Sequence, residues 1–172
     1  MDAGLAALLG AAVGSLTTLG AAVVNGRTQA RTQHVQWRRQ HRRDAYTAYL
    51  GALHDRDIAM DAILDAAQAD PPDLPELDEK VRHFVARARA VHRATEVVIL
   101  EGPPSIVEAT DRIAEESRGL SEIMQRMVKD AHAADTTERA EHSASAASRE
   151  RRLYRAVSDF RLQARSVLGN AD

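Results

Sequence analysis

Residues 74–101 read LPELDEKVRHFVARARAVHRATEVVILE, and this stretch decides the fold. Leu74, Leu77, Val81, Phe84, Ala88, Val91, Thr95 and Val98 follow one another at alternating steps of three and four. That spacing gathers side chains on one face of an α-helix, whereas the period of two in a strand would scatter them to both faces. Val85 and Ile99 broaden the stripe. A helix with one apolar stripe is stable only when that stripe is buried against other elements.

Moving outward, the same pattern recurs in three more segments. The first carries Tyr46, Tyr49, Leu53, Met60, Ile63 and Ala67, widened by Leu50 and Leu64, with Arg56 interrupting the seam. The third carries Ile106, Thr110, Ile113, Leu120, Ile123, Met124, Met127, Val128 and Ala131. The fourth carries Leu153, Val157, Phe160, Ala164 and Val167.

Three breaker clusters separate these segments: Asp70-Pro71-Pro72-Asp73, Gly102-Pro103-Pro104, and the polar run Ala133 to Thr137. Asp73 with Glu76, Ser105 with Glu108, and Asp135 with Glu138 have the spacing of capping boxes. Gly102 stands where a helix end favours a left-handed residue, with prolines behind it to stop continuation. Segments of about 26 to 32 residues give helices of about 40 to 48 Å. Matched lengths and short connections predict an antiparallel up-down four-helix bundle with coiled-coil-like packing.

The first 43 residues have a different character. Ala3 to Gly26 is charge-free, and six arginines with no acid follow from Gly26 to Arg43. A helix over Ala3–Asn25 would be about 34 Å long, enough to cross a hydrocarbon core of about 30 Å. A secretory signal would carry its positive charge before the apolar run; here the charge follows it. The positive-inside rule then places the short N-terminus outside and the rest in the cytoplasm. The expected architecture is therefore all-α: a single transmembrane helix over 1–26, a basic juxtamembrane neck over 27–43, and a cytoplasmic helical bundle over 44–172.

Two sets of candidate contact residues lie in this region. Ala6, Gly10, Gly14, Thr18 and Ala22 form a row of small side chains at four-residue spacing that contains a GxxxG pair. Such a row lets two membrane helices approach closely, so it points to self-association. Arg27, Arg31, Arg38, Arg39, Arg42 and Arg43 are candidates for contact with anionic lipid headgroups. A basic helix is also a nucleic-acid motif, but topology already requires the positive flank, so that reading ranks lower.

The body carries no identifiable catalytic signature. GxxxxGK[ST], GxSxG, HExxH and EF-hand patterns are missing from the sequence. Cysteine is absent, which excludes disulfides, thiolate nucleophiles and cysteine metal sites. None of the seven histidines forms the Glu-x-x-His pairs of di-iron bundles. His54, Asp57, Asp61 and Asp65 make a ridge that reads as solvated. No catalytic residue, metal site or cofactor is expected.

The segment Arg139 to Arg152 fits the bundle least well, because its apolar residues are all alanine. Loosely held over Met60, Met124 and Met127, it would uncover a groove for a partner helix.

The anchor, the neck QWRRQHRRDAY (36–46), the turn VVILEGPPSIVEA (97–109) and the helix RRLYRAVSDFRLQAR (151–165) together resemble small actinobacterial membrane-anchored helical proteins. The resemblance is one of layout. It implies a membrane-anchored helical protein and carries no activity and no functional residues.

The expected function is non-enzymatic: a self-associating scaffold or interaction protein, resident in the cell membrane, that presents its bundle to a cytoplasmic protein partner. The alternatives are a membrane-acting effector that assembles into an oligomeric pore, and a helical nucleic-acid-binding module.

Overall fold

A computed structural model describes the backbone of residues 2–169 and the side chains of residues 33–169. The chain is all-α and has four helices: α1 (Asp2–Gln68), α2 (Leu74–Glu101), α3 (Pro104–Ala133) and α4 (Arg139–Gly169). It divides into two compact units, Met1–Gln40 and His41–Asp172. In the first unit the described side chains are nearly all exposed, and the His34 and Trp37 rings stack at 6.1 Å. The transmembrane reading of 1–26, with its row Ala6, Gly10, Gly14, Thr18 and Ala22, lies outside the described side chains. Among the described residues no helix is long and apolar enough to cross a membrane.

The second unit is the bundle. Contacts between helices run antiparallel along the chain order. Arg42 Nε donates to the Glu101 carbonyl at 2.7 Å and Arg87 pairs with Asp55 at 3.1 Å, tying α1 to α2. His132 meets Asp78 at 2.9 Å across α2 and α3, and Arg149 meets Glu116 at 3.3 Å across α3 and α4. The bundle closes where Tyr46 and Tyr49 of α1 set their rings edge-on to Phe160 of α4, at 5.8 and 5.2 Å. Edge-to-face pairs of this kind contribute about 0.5–1.5 kcal/mol each beyond the area they bury.

The heptad reading holds for the core. On α1 Tyr46, Tyr49, Leu53, Met60, Ile63 and Ala67 are all buried. On α3 the buried series is Ile106, Thr110, Ile113, Leu120, Met124, Met127 and Ala131. On α2 burial is uneven. Leu77, Phe84 and Val98 are buried, while Val81, Ala88, Val91 and Thr95 between them are half-exposed.

The caps differ from expectation in two of three places. Asp73 accepts from the Glu76 N–H at 3.1 Å, as expected. Ser105 does not cap α3. The helix starts two residues earlier than that cap would give, at Pro104, where the fixed φ suits the first helical position and the missing N–H is not needed. The Asp135 carboxylate accepts from Thr137 rather than Glu138, a two-residue turn, and the Glu138 carbonyl instead receives His142 N–H as α4 begins.

Gly102 also departs from the reading. Its φ of −86° and ψ of 151° are extended rather than left-handed, because Pro103 follows and disfavours helical geometry before it. Glycine is required there by space: a Cβ would meet Val98 O and Ile106 Cγ2 at 2.8 Å. The left-handed residue is Ala134 at the end of α3, with φ 52°.

These two positions generate opposite expectations. Gly102→Ala forces backbone or Ile106 to shift and lowers stability by about 1–3 kcal/mol. Ala134→Gly relieves the left-handed strain of a Cβ and raises stability by about 1 kcal/mol. Urea denaturation of both variants checks the signs.

Candidate functional site

The most unusual residue in the bundle is Arg56. It occupies a seam position on α1 between Leu53 and Met60, and it is only 5% exposed. The sequence marks it as an interruption; the structure shows what the interruption does. Nη1 donates to Ser117 Oγ on α3 at 2.6 Å, while Nη2 and Nε reach Asp57 Oδ1 at 2.6 and 3.3 Å.

Ser117 is itself a seam position, lying between Ile113 and Leu120. A polar residue of the α1 seam and one of the α3 seam therefore meet each other. A charge-assisted hydrogen bond in a low-dielectric interior is stronger than its counterpart in water, and the unpaired alternative is costly.

This polar layer floors a cleft of about 250 Å³ between α2 and α3. Tyr49 and Arg56 line it from α1, Phe84, Ala88, Val91 and Thr95 from α2, and Ile113 and Ser121 are among its α3 residues. The cleft exists where α2 is half-exposed: Ala88 is too small to fill the space opposite Arg56. The hydroxyls around it turn back on their own helices. Thr95 donates to Val91 O at 2.9 Å, Ser117 to Ile113 O at 2.6 Å and Ser121 to Ser117 O at 2.9 Å. Burial pushes the Tyr49 hydroxyl up to about 12, against the opposing pull of the Arg56 charge and a hydrogen bond with Thr95. Tyr49 is thus a neutral phenol at any ordinary pH.

A second polar cluster holds the first half of α4 onto α3. His142 is buried, with Nδ1 2.9 Å from Asp130 and Nε2 3.3 Å from Glu138. Further along, Glu116 receives both Arg149 at 3.3 Å and Arg152 at 3.2 Å. The guanidinium of Arg149 lies directly over Gly119, where a Cβ would come within 2.7 Å of it. Polar ties therefore support this alanine-rich half of α4, alongside the contacts of Ala146.

Met60, Met124 and Met127 are 2, 3 and 5% exposed and belong to one core cluster with Ala146 and Leu153 of α4. They are closed off from solvent, and uncovering them requires a helix of the bundle to move. Of the arginines expected at a lipid surface, Arg38 and Arg43 are exposed, and Arg39 and Arg42 are half-buried. Arg42 also serves the α2 C-terminus through the Glu101 carbonyl, a fitting partner for a helix end rich in unpaired C=O groups. Arg27 and Arg31 lie outside the described side chains.

The ridge His54, Asp57, Asp61 and Asp65 does not converge on a ligand. Among the described residues no group of three or more His, Asp or Glu side chains is placed to hold a metal ion. Asp57 instead partners Arg56. Ser117 and the depth of Arg56 were the parts of the site that sequence reasoning missed; continuing the α3 heptad through residue 117 would have paired them. No protein-family model matches the chain, and no curated protein or solved structure matches it significantly.

Asp61 gives the pH dependence of this face. Burial, followed by the charges of Glu150, Asp57 and Asp65, raises its carboxyl above the usual value. A raised carboxyl means that the folded state binds a proton more readily than the unfolded one, so this group's contribution becomes less favourable as pH rises through that window. Asp61→Asn is expected to raise stability at pH 7, and the gain is expected to vanish below about pH 4. Denaturation at both pH values measures it.

Proposed function

We propose that the protein is a membrane-tethered, self-associating helical scaffold that presents its bundle to a cytoplasmic protein partner. The observation that carries this reading is α1. One helical element, Asp2–Gln68, holds the charge-free segment, the arginine run and the first seam of the bundle. A tether built this way passes from lipid to body without a separate linker.

The roles then follow from position. Residues 1–26 span the bilayer with the N-terminus outside. Arg27, Arg31, Arg38, Arg39, Arg42 and Arg43 attract anionic headgroups, each contributing about 1 kcal/mol near the surface. Ala6, Gly10, Gly14, Thr18 and Ala22 supply the close approach for a second copy. The reading assigns the protein no catalytic step. Partner recognition is placed on the bundle, with the methionine surface beneath α4 as the face that opens.

Fractionation of the full-length protein tests the tether. Retention in the membrane pellet through high salt and then sodium carbonate near pH 11 is the expected result. Release of intact protein by either wash contradicts it. The carbonate step sits above the ordinary tyrosine range, where the unfolded state ionises Tyr49 and the bundle loses stability. Retention there reports the anchor alone. In the same membranes, Gly10→Leu with Gly14→Leu is expected to lower crosslinked dimer several-fold without releasing the protein.

A further inference from the structure

A buried guanidinium beside an apolar cleft is a receptor for an anion with an apolar body. We propose that the cleft between α2 and α3 binds a small amphipathic carboxylate, its head on Arg56 and its chain between Phe84, Ala88, Val91 and Ile113. This goes beyond the scaffold reading and stands whether or not that reading holds.

The donor inventory selects the charge. A guanidinium has five N–H donors. The contacts to Ser117 and Asp57 engage the side-on edge and one Nη1 proton, which leaves donor capacity on a group that lines the cleft. The hydroxyls of Thr95, Ser117 and Ser121 spend their protons on backbone carbonyls of their own helices. Arg56 is therefore the cationic donor at the floor. At the mouth stand Arg118 and His92, paired with Glu115 at 2.8 Å and Glu96 at 3.9 Å and largely solvated. No carboxylate is among the described residues that line the cleft; Asp57, paired with Arg56 at 2.6 Å, approaches it from outside the lining.

Size selects the rest of the ligand. A dry cavity of about 150 Å³ accepts benzene, so 250 Å³ suits roughly ten non-hydrogen atoms. A partner helix, about 10 Å across, does not enter a space of that volume. Octanoate has the right charge and length. Its carboxylate would accept from Arg56 in a bidentate manner, and its chain would complete the packing that α2 leaves open beside Ala88.

Methyl NMR of the full chain in lipid nanodiscs tests this with octanoate and 1-octanol as probes. Val91 and Ile113 methyls report the cleft, and Ile63 and Val157 report the remote core. Octanoate is expected to shift the cleft methyls saturably, leave the remote ones unmoved, and bind at least tenfold tighter than 1-octanol. Arg56→Met is expected to abolish that preference. Ala88→Trp, which fills the cleft and retains Arg56, is expected to abolish binding of both probes. If Arg56→Met does not fold, the Ala88→Trp result and the octanoate-to-octanol ratio decide. The proposal is overturned by the absence of a saturable shift, equal affinity for the two probes, a preference that survives Arg56→Met, or binding that survives Ala88→Trp.

Discussion

A positive charge buried between helices, at the floor of a cleft, constrains the residues around it. Moving a guanidinium out of water costs several kcal/mol even after relaxation. That cost is offset only where its partners are in place: Ser117 across the bundle and Asp57 beside it. The Leu, Ile and Met residues of the other seam layers are nearly interchangeable, so α1 sliding past α3 by one heptad would cost them little. The same slide in one direction would set Arg56 against Met124, whose thioether is a poor acceptor, and in the other against Thr110, where the Ser117 contact is lost and Asp57 remains. The polar layer thus favours the observed alignment of α1 and α3 over a slide that sets Arg56 against Met124. It also creates the cleft, because α2 meets the layer with alanine and valine.

The remaining packing follows from a composition with aromatics at only 3% of residues. Three of the six Phe, Trp and Tyr side chains meet between the first and last helices, as Tyr46, Tyr49 and Phe160. At the other end the core is aliphatic. Met60, Met124 and Met127 join Ile63, Leu77 and Leu120 there, and α4 is secured by His142 and by the Glu116–Arg149–Arg152 cluster. The bundle is therefore aromatic at the end nearer the arginine run in sequence, and aliphatic with polar ties at the other.

The sequence already carried the four helices, their antiparallel order and nearly all of the apolar core, because heptad spacing depends only on the geometry of a helix. It also carried Arg56 as an anomaly. It did not carry the meaning of that anomaly, which needs a second helix in register. Ser117 is unremarkable until α3 is aligned with α1. Cap residues were legible at Asp73 and misleading at Ser105 and Gly102, where adjacent prolines override the side-chain signal. The left-handed Ala134 was illegible, since alanine has no preference for that geometry. Burial of His142 was hidden for a similar reason: its neighbours on the seam are alanine and arginine, which give no apolar stripe to follow.

The central claim is that Arg56 and Ser117 form a coupled buried layer. A double-mutant cycle on Arg56→Met and Ser117→Ala, read by urea denaturation, tests it most directly. Ser117→Ala alone strands a buried N–H and is expected to cost about 1–3 kcal/mol, while the same change in the Arg56→Met background costs almost nothing. A coupling energy of about 1 kcal/mol or more is the predicted result. Additive effects, with coupling near zero, would contradict the account.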